Sequence, residues 1–356
     1  MAVVGYRHEH ESGPRVPAPP QVATDLPDWL VATVFGFHAE IRRRVRARVA
    51  EGRQEELSSV VAAGSGDVSY GIDIPAEDVV ADAFASAPEP VVVVAEGPGE
   101  RVYPAGATRS ETLYCVIVDP LDGTRELMYD KRSAFVLTGV APVTAGGATL
   151  ADIVFGLMTE VPPSIQSAGV EAWAIRGSGA FERRVDCASG TEITAPIRLQ
   201  ASRAKTIRGG FATIAHYFPG THQSAGALAD RLFRGVLGDF VEGSAEAFDD
   251  CYISSGGQLY LMASGRYRLL VDARPELAIG REGVRPLCAH PYDLAGGVLI
   301  AEEAGAIVTD LEGNPLRYPL DTGTRCSFVA YANDTIRDEV EAVLRNELAQ
   351  LRPVGQ

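Results

Sequence analysis

Six residues near the end of the first third of the chain, Asp119-Pro-Leu-Asp122-Gly-Thr124, could hold a hard cation and an anion side by side. They follow the apolar run 113–118 (LYCVIV), which reads as a strand delivering Asp119 at its end. Pro120 is expected to stop the ladder there. Asp119, Asp122 and the Leu121 carbonyl then converge on one side of a tight turn, an oxygen set that suits Mg2+ or Ca2+. Gly123 lets the backbone approach a ligand, and Thr124 opens a short helix whose free N–H groups face an anion. A lone D-x-x-D is explained more simply as a capped strand-to-helix turn. The spacing of three argues against phosphatases whose nucleophilic aspartate is followed by a second one two residues later.

Two further carboxylates stand where they could join that turn. Glu96 ends the apolar run 91–95 (VVVVA), and neighbouring strands ending in carboxylates would set it beside Asp119 and Asp122. Asp293 precedes a helical pattern over 294–304 that Gly305 closes, and taken alone it reads as an N-cap. Ala295, Gly296 and Gly297 in that first turn would let the helix press closely against something.

The elements that must position these groups are legible in outline. Leu30, Val34, Ile41, Val45 and Val49 recur at helical spacing over 25–49, with Thr24 or Asp25 to cap, Pro27 in the first turn and Gly52 at the end. The arginines at 42, 43, 44, 46 and 48 read as its wet face. A second helix is predicted over 76–86, and strands over 134–141, 149–158 and 171–176. Helical patterns at 222–234, 257–264 and 334–351 then alternate with strands at 267–272, 306–310 and 326–331. That alternation predicts an α+β half followed by an α/β half. The expected division is a polar, Pro-rich leader over 1–24, a metal-binding domain over 25–195 and a C-terminal α/β domain over 196–352. His8 and His10 fall in the leader and read as part of a solvated tail.

Composition narrows the classes. The chain has 356 residues, 46% apolar and 22% charged, with a net charge of −15, which argues against nucleic acid or an anionic membrane as partner. No stretch approaches the roughly 18 apolar residues of a membrane span. Five scattered cysteines without metal-ligand spacing fit reduced thiols in a cytoplasmic protein. Lysine occurs only at 131 and 205, so a phosphate site would rely on metal, backbone N–H groups and arginine.

Taken together, the segments resemble the Mg2+-dependent, lithium-sensitive phosphatases of the inositol monophosphatase and fructose-1,6-bisphosphatase superfamily. Asp119 to Thr124 is similar to their D-P-[IL]-D-G-T, and Tyr292-Asp293-Leu-Ala-Gly296 to their W-D-x-A-[AG] with Tyr for Trp. Gly305 and Asp310 fit its continuation. Val94-Ala-Glu96-Gly97, Gly177-Ser-Gly-Ala-Phe181 and Asp67-Val-Ser-Tyr-Gly-Ile-Asp73 resemble G-E-E, G-x-G-A-F and D-x-x-T-x-x-D, in the family's order. The resemblance implies a layered α/β/α/β/α sandwich, a homodimer, and hydrolysis of a small phosphate ester by a metal-activated water. It also implies that Glu96, Asp119 and the Leu121 carbonyl hold one Mg2+, and that Asp119, Asp122 and Asp293 hold a second. Asp67 would serve a third ion through water, with Mn2+ able to substitute. Thr124 with Glu96 would orient and deprotonate the water, and Asp122, Gly123 and Thr124 would bind phosphate.

Gly97 departs from the family's second glutamate, and 238–254 and 273–290 are longer than in compact members. Asp272, Arg274 and the loop 254–257 with Gly257 are the candidate leaving-group contacts. A sugar or polyol phosphate is the first substrate expected. A nucleotide 3′-phosphatase, suggested by Arg125-Glu126, and a non-catalytic binding module are the alternatives.

Overall fold

The structure, a computed structural model, describes residues 26–63, 68–241, 243–278 and 286–351. The expected leader over 1–24, the caps Thr24 and Asp25, and Asp67 lie outside the described residues.

The chain begins with α1 (Asp28–Glu51), α2 (Gln54–Leu57), the antiparallel pair β1 (Val60–Ala63) and β2 (Val68–Tyr70), and α3 (Ile74–Phe84). Eight strands follow: β3 (Val91–Ala95), β4 (Gly99–Tyr103), β5 (Tyr114–Asp122), β6 (Ala134–Pro142), β7 (Phe155–Val161), β8 (Ala168–Ile175), β9 (Gly179–Asp186) and β10 (Ile197–Arg198). They form one sheet in the order β10-β9-β8-β7-β6-β5-β3-β4, parallel only between β3 and β5. The short α4 (Thr124–Leu127) sits between β5 and β6. Next come β11 (Phe211–Ile214), α5 (His222–Leu237), α6 (Ser255–Ala263), β12 (Tyr267–Asp272), α7 (Arg274–Leu277), α8 (Pro291–Glu303), β13 (Ile307–Thr309), β14 (Phe328–Tyr331) and α9 (Asp334–Leu351). Their strands make a second sheet in the order β11-β12-β14-β13.

The large sheet is covered on both faces, which is why β3 is apolar throughout rather than alternating. Val91, Val93 and Ala95 pack with α1 and α3, whereas Val92 and Val94 join the core that α6, α8 and the second sheet share. Helices α5 and α9 pair beyond the second sheet and complete the α/β/α/β/α layering.

Several elements differ from their sequence reading. The run 149–158 splits because Thr149 caps a 3-10 turn over Leu150–Asp152 through the Asp152 carboxylate, so the strand starts at Phe155. The arginines of α1 are not all wet. Arg42 falls on the same helical face as Ile41 and Val45 and is 2% exposed, paired at 2.8 Å with Glu171, which also holds Arg183. Arg43 and Arg44 do lie outside, paired with Glu40.

Candidate metal centre and catalytic cleft

Strand β5 does not stop at Asp119. It pairs with β6 through Asp119↔Leu137 and Asp122↔Phe135, three steps on one strand against two on the other. Residues three apart on a regular strand point to opposite faces, and one extra residue restores them to the same face. Pro120, which donates no ladder hydrogen bond, is tolerated at such a bulge. The bulge, rather than a turn beyond the strand, brings Asp119 and Asp122 together.

Glu96 follows β3, the parallel neighbour of β5, and its N–H donates to the Val118 carbonyl at 3.1 Å. Gly97 beside it has φ 79°, in the turn that folds β3 back into β4. A side chain there would be strained, which accounts for glycine at that position.

Asp293 arrives on α8. It occupies the third helical position rather than the N-cap, and its Oδ2 accepts the His290 N–H at 2.6 Å in a capping box. The small residues of this helix allow close approach to the sheet. A Cβ at Gly296 would meet the Leu157 and Thr138 carbonyl oxygens at 2.7 and 2.9 Å, and one at Gly156 would meet the Gly296 oxygen at 2.9 Å.

One carboxylate oxygen from each of Asp119, Asp122 and Asp293 lies within 4.8 Å of the others. Burial, and then the charges of Glu96, Asp122 and Asp293, push the Asp119 carboxyl well above its usual range, against the pull of the Leu121 N–H. Burial pushes Asp122 up to about 6, although the Ser254 hydroxyl, the Gly256 and Ser255 N–H groups and the Arg274 charge oppose it. Crowded, buried, hard oxygen donors of this kind are relieved by a divalent cation, so the residues fit Mg2+ or Mn2+.

Thr124 Oγ1 lies 2.7 Å from the Leu121 carbonyl and 2.9 Å from Asp73 Oδ1, while Asp73 Oδ2 accepts the Tyr70 N–H at 2.7 Å. Gly123 takes φ 94° and faces Ser254, whose Cβ would stand 3.0 Å from a Cβ at Gly123.

These groups line a cleft of about 780 Å³ that also contains Glu96, Arg125, Tyr217, Phe218, Arg274 and Cys288. Arg274 stacks over Tyr217 at 5.0 Å, and Arg125 lies over Phe218 at 5.3 Å. Asp272 is 1% exposed and its carboxylate is taken up by the Arg274 guanidinium, at 2.6 Å from Nη2, so Arg274 rather than Asp272 meets the cleft. Gly257 borders a different cavity, with Arg132, Glu160 and Tyr260. Sequence reasoning assigned no role to Asp73, although it closes the stretch that begins at Asp67. It also passed over the Tyr217-Phe218 pair, for which no local signal exists, and it expected the loop that begins at Ser254 to meet the leaving group, whereas the Ser254 hydroxyl donates to Asp122 Oδ2.

A family model described as the inositol monophosphatase family matches residues 30–345. The chain is 25% identical over 295 residues to a fructose-1,6-bisphosphatase/inositol-1-monophosphatase of Methanothermobacter thermautotrophicus, covering 82% of this chain and 88% of that one. The extragenic suppressor protein SuhB of Bartonella henselae superposes with a TM-score of 0.61 at 21% identity, covering 89% of this chain and 98% of that one. The fructose-1,6-bisphosphatase of Leishmania major superposes with 0.65 at 15% identity, covering 91% and 96%. These two likenesses establish the fold.

Proposed function

This chain belongs to the inositol monophosphatase family and is a phosphoric monoester hydrolase, and from that premise we propose that it cleaves a small sugar or polyol phosphate of the inositol-1-phosphate or fructose-1,6-bisphosphate type by attack of water under Mg2+. The observation that carries the reading is the meeting of Asp119, Asp122 and Asp293, drawn from two distant parts of the chain, beside the Thr124–Asp73 contact.

In this reading Glu96, Asp119 and the Leu121 carbonyl would hold one cation, and Asp119, Asp122 and Asp293 would hold another. Divalent ions held there would lower the pKa of water and offset charge on the attacking and leaving oxygens. The Thr124 hydroxyl donates to Asp73, which turns its lone pair toward the attacking water and gives that water's proton a carboxylate to reach, and Glu96 lines the same cleft. The Gly123 and Thr124 N–H groups hold the phosphoryl oxygens, an approach that the left-handed Gly123 keeps open. Arg274 and Arg125, each against an aromatic ring, border the leaving group. As the water oxygen bonds to phosphorus, the ester oxygen departs and takes a proton from solvent.

Phosphate release from a panel of esters, with and without Mg2+, tests the reading. Mg2+-dependent turnover of inositol or fructose phosphates is expected. Turnover of adenosine 3′,5′-bisphosphate in preference to both, or of no ester at all, would contradict it.

A further inference from the structure

Residues 250–254, the end of the acidic and aromatic stretch before α6, run beside the segment 126–133 and are tied to it through Asp250, Tyr252 and Ile253. Asp250 receives the Arg132 guanidinium in two bonds of 2.8 and 3.0 Å. That guanidinium lies 3.8 Å over the Tyr252 ring, whose hydroxyl donates to the Ser133 carbonyl at 2.7 Å. The Ile253 N–H donates to Glu126 Oε2 at 3.1 Å. One residue on, the Ser254 hydroxyl and the Gly256 N–H both donate to Asp122 Oδ2 at 2.7 Å.

Glu126 is the charged member of this strap that burial makes expensive. It is 2% exposed, and its salt-bridge partner among the described residues is Lys131 at 2.8 Å, one of two lysines in the chain. A buried carboxylate of that kind is held by what it bonds, and here it bonds the backbone next to Ser254. Ser254 and Gly256 both occupy one oxygen of Asp122, which restrains the carboxylate plane. Groups that orient a ligand in this way influence metal affinity by about tenfold or more.

We propose that Glu126 is a positioning residue for the cation site: by holding the Ile253 N–H it keeps Ser254 and Gly256 on Asp122. The inference rests on the cation reading given above. It also assigns the end of the 238–254 stretch to a metal ligand rather than to the leaving group.

Calorimetric titration of Mn2+ into the wild-type protein, E126A, E126Q, S254A and E126A/S254A, with melting temperatures alongside, tests the inference. E126A and S254A should each weaken Mn2+ about tenfold. E126Q, which keeps an acceptor for Ile253, should recover most of the loss, and the double variant should bind about as well as S254A alone. Unchanged Mn2+ affinity in E126A, even with a lower melting temperature, would overturn the proposal, as would losses that add in the double variant. Should E126A not fold, E126D keeps the charge but draws back from Ile253, and the same outcomes apply to it. A wild-type protein that takes up no Mn2+ would instead overturn the cation reading and this inference together.

Discussion

Thr124 Oγ1 stands 2.9 Å from Asp73 Oδ1, a carboxylate 51 positions earlier in the chain. The Tyr70 N–H fixes the other Asp73 oxygen, so the hydroxyl has one settled acceptor as well as the Leu121 carbonyl. Asp73→Asn preserves the volume but removes a group able to take a proton. Its kcat should fall by about 100-fold or more, with Mn2+ affinity and melting temperature nearly unchanged. A steady-state comparison at saturating Mg2+ checks this, and near-wild-type kcat would remove Asp73 from the proton path.

Helix α8 sits on the large sheet through Gly296, where an added Cβ would strike two backbone carbonyls that cannot swing aside. Gly296→Ala should cost about 1–3 kcal/mol and lift Asp293 away from Asp119. Chemical denaturation and Mn2+ titration should therefore move together. Gly36→Ala on α1 is the control, since among the described residues no atom beyond its chain neighbours and the backbone of its own helix lies within 4 Å of the added methyl. It should stabilise by about 0.5–1 kcal/mol and leave Mn2+ binding alone.

The Asp122 carboxyl has an ordinary value of 3.8 and is pushed up to about 6 in the fold. Its contribution to the metal-free fold is fully present below 3.8 and is lost as pH rises through about 6. Asp119, also raised, acts in the same direction. A cation requires the ionised form and competes with the proton. Saturating Mg2+ should accordingly raise the melting temperature more at about pH 7.5 than at about pH 5. Equal gains at both would argue against these carboxylates as the ligands.

Glu171 lies between Arg42 and Arg183, all three at most 3% exposed, and Arg42 Nη1 has no hydrogen-bond partner among the described residues. Glu171→Gln removes the counter-charge of the buried Arg42 guanidinium and leaves Arg183 with Glu192 alone, which should cost about 3 kcal/mol. Urea denaturation measures the loss. None of the three residues lines the cleft, and kcat should be unaffected; a full loss of activity without loss of stability would show that the network does more than hold α1.

The parts of this molecule that could be read from its residues are those whose signal is local. The apolar run 91–95, the strand 267–272 and the helix over 334–351 stand where periodicity puts them. The glycines of α8 announced a close approach, and the approach is to the Leu157 and Thr138 carbonyls. What escaped was set by pairing. Strand β10 is two residues held only by β9, and no run of its own predicts it. Asp119 and Asp122 were expected in a turn because Pro120 breaks a regular ladder, and only the register against β6 reveals a bulge. Arg42 looked like one of five surface arginines until Glu171 and Arg183 supplied its reason to be buried. Asp73 reaches the site, and Ser254 reaches Asp122 rather than the expected leaving group, through long-range hydrogen bonds, which leave no periodic trace.

Anomalous diffraction from crystals soaked in Mn2+ tests the central claim most directly. A peak within about 2.5 Å of oxygens from Asp119, Asp122 and Asp293 together is the predicted result. An actively hydrolysing protein whose crystals show no peak there, or one at some other cluster, would contradict it.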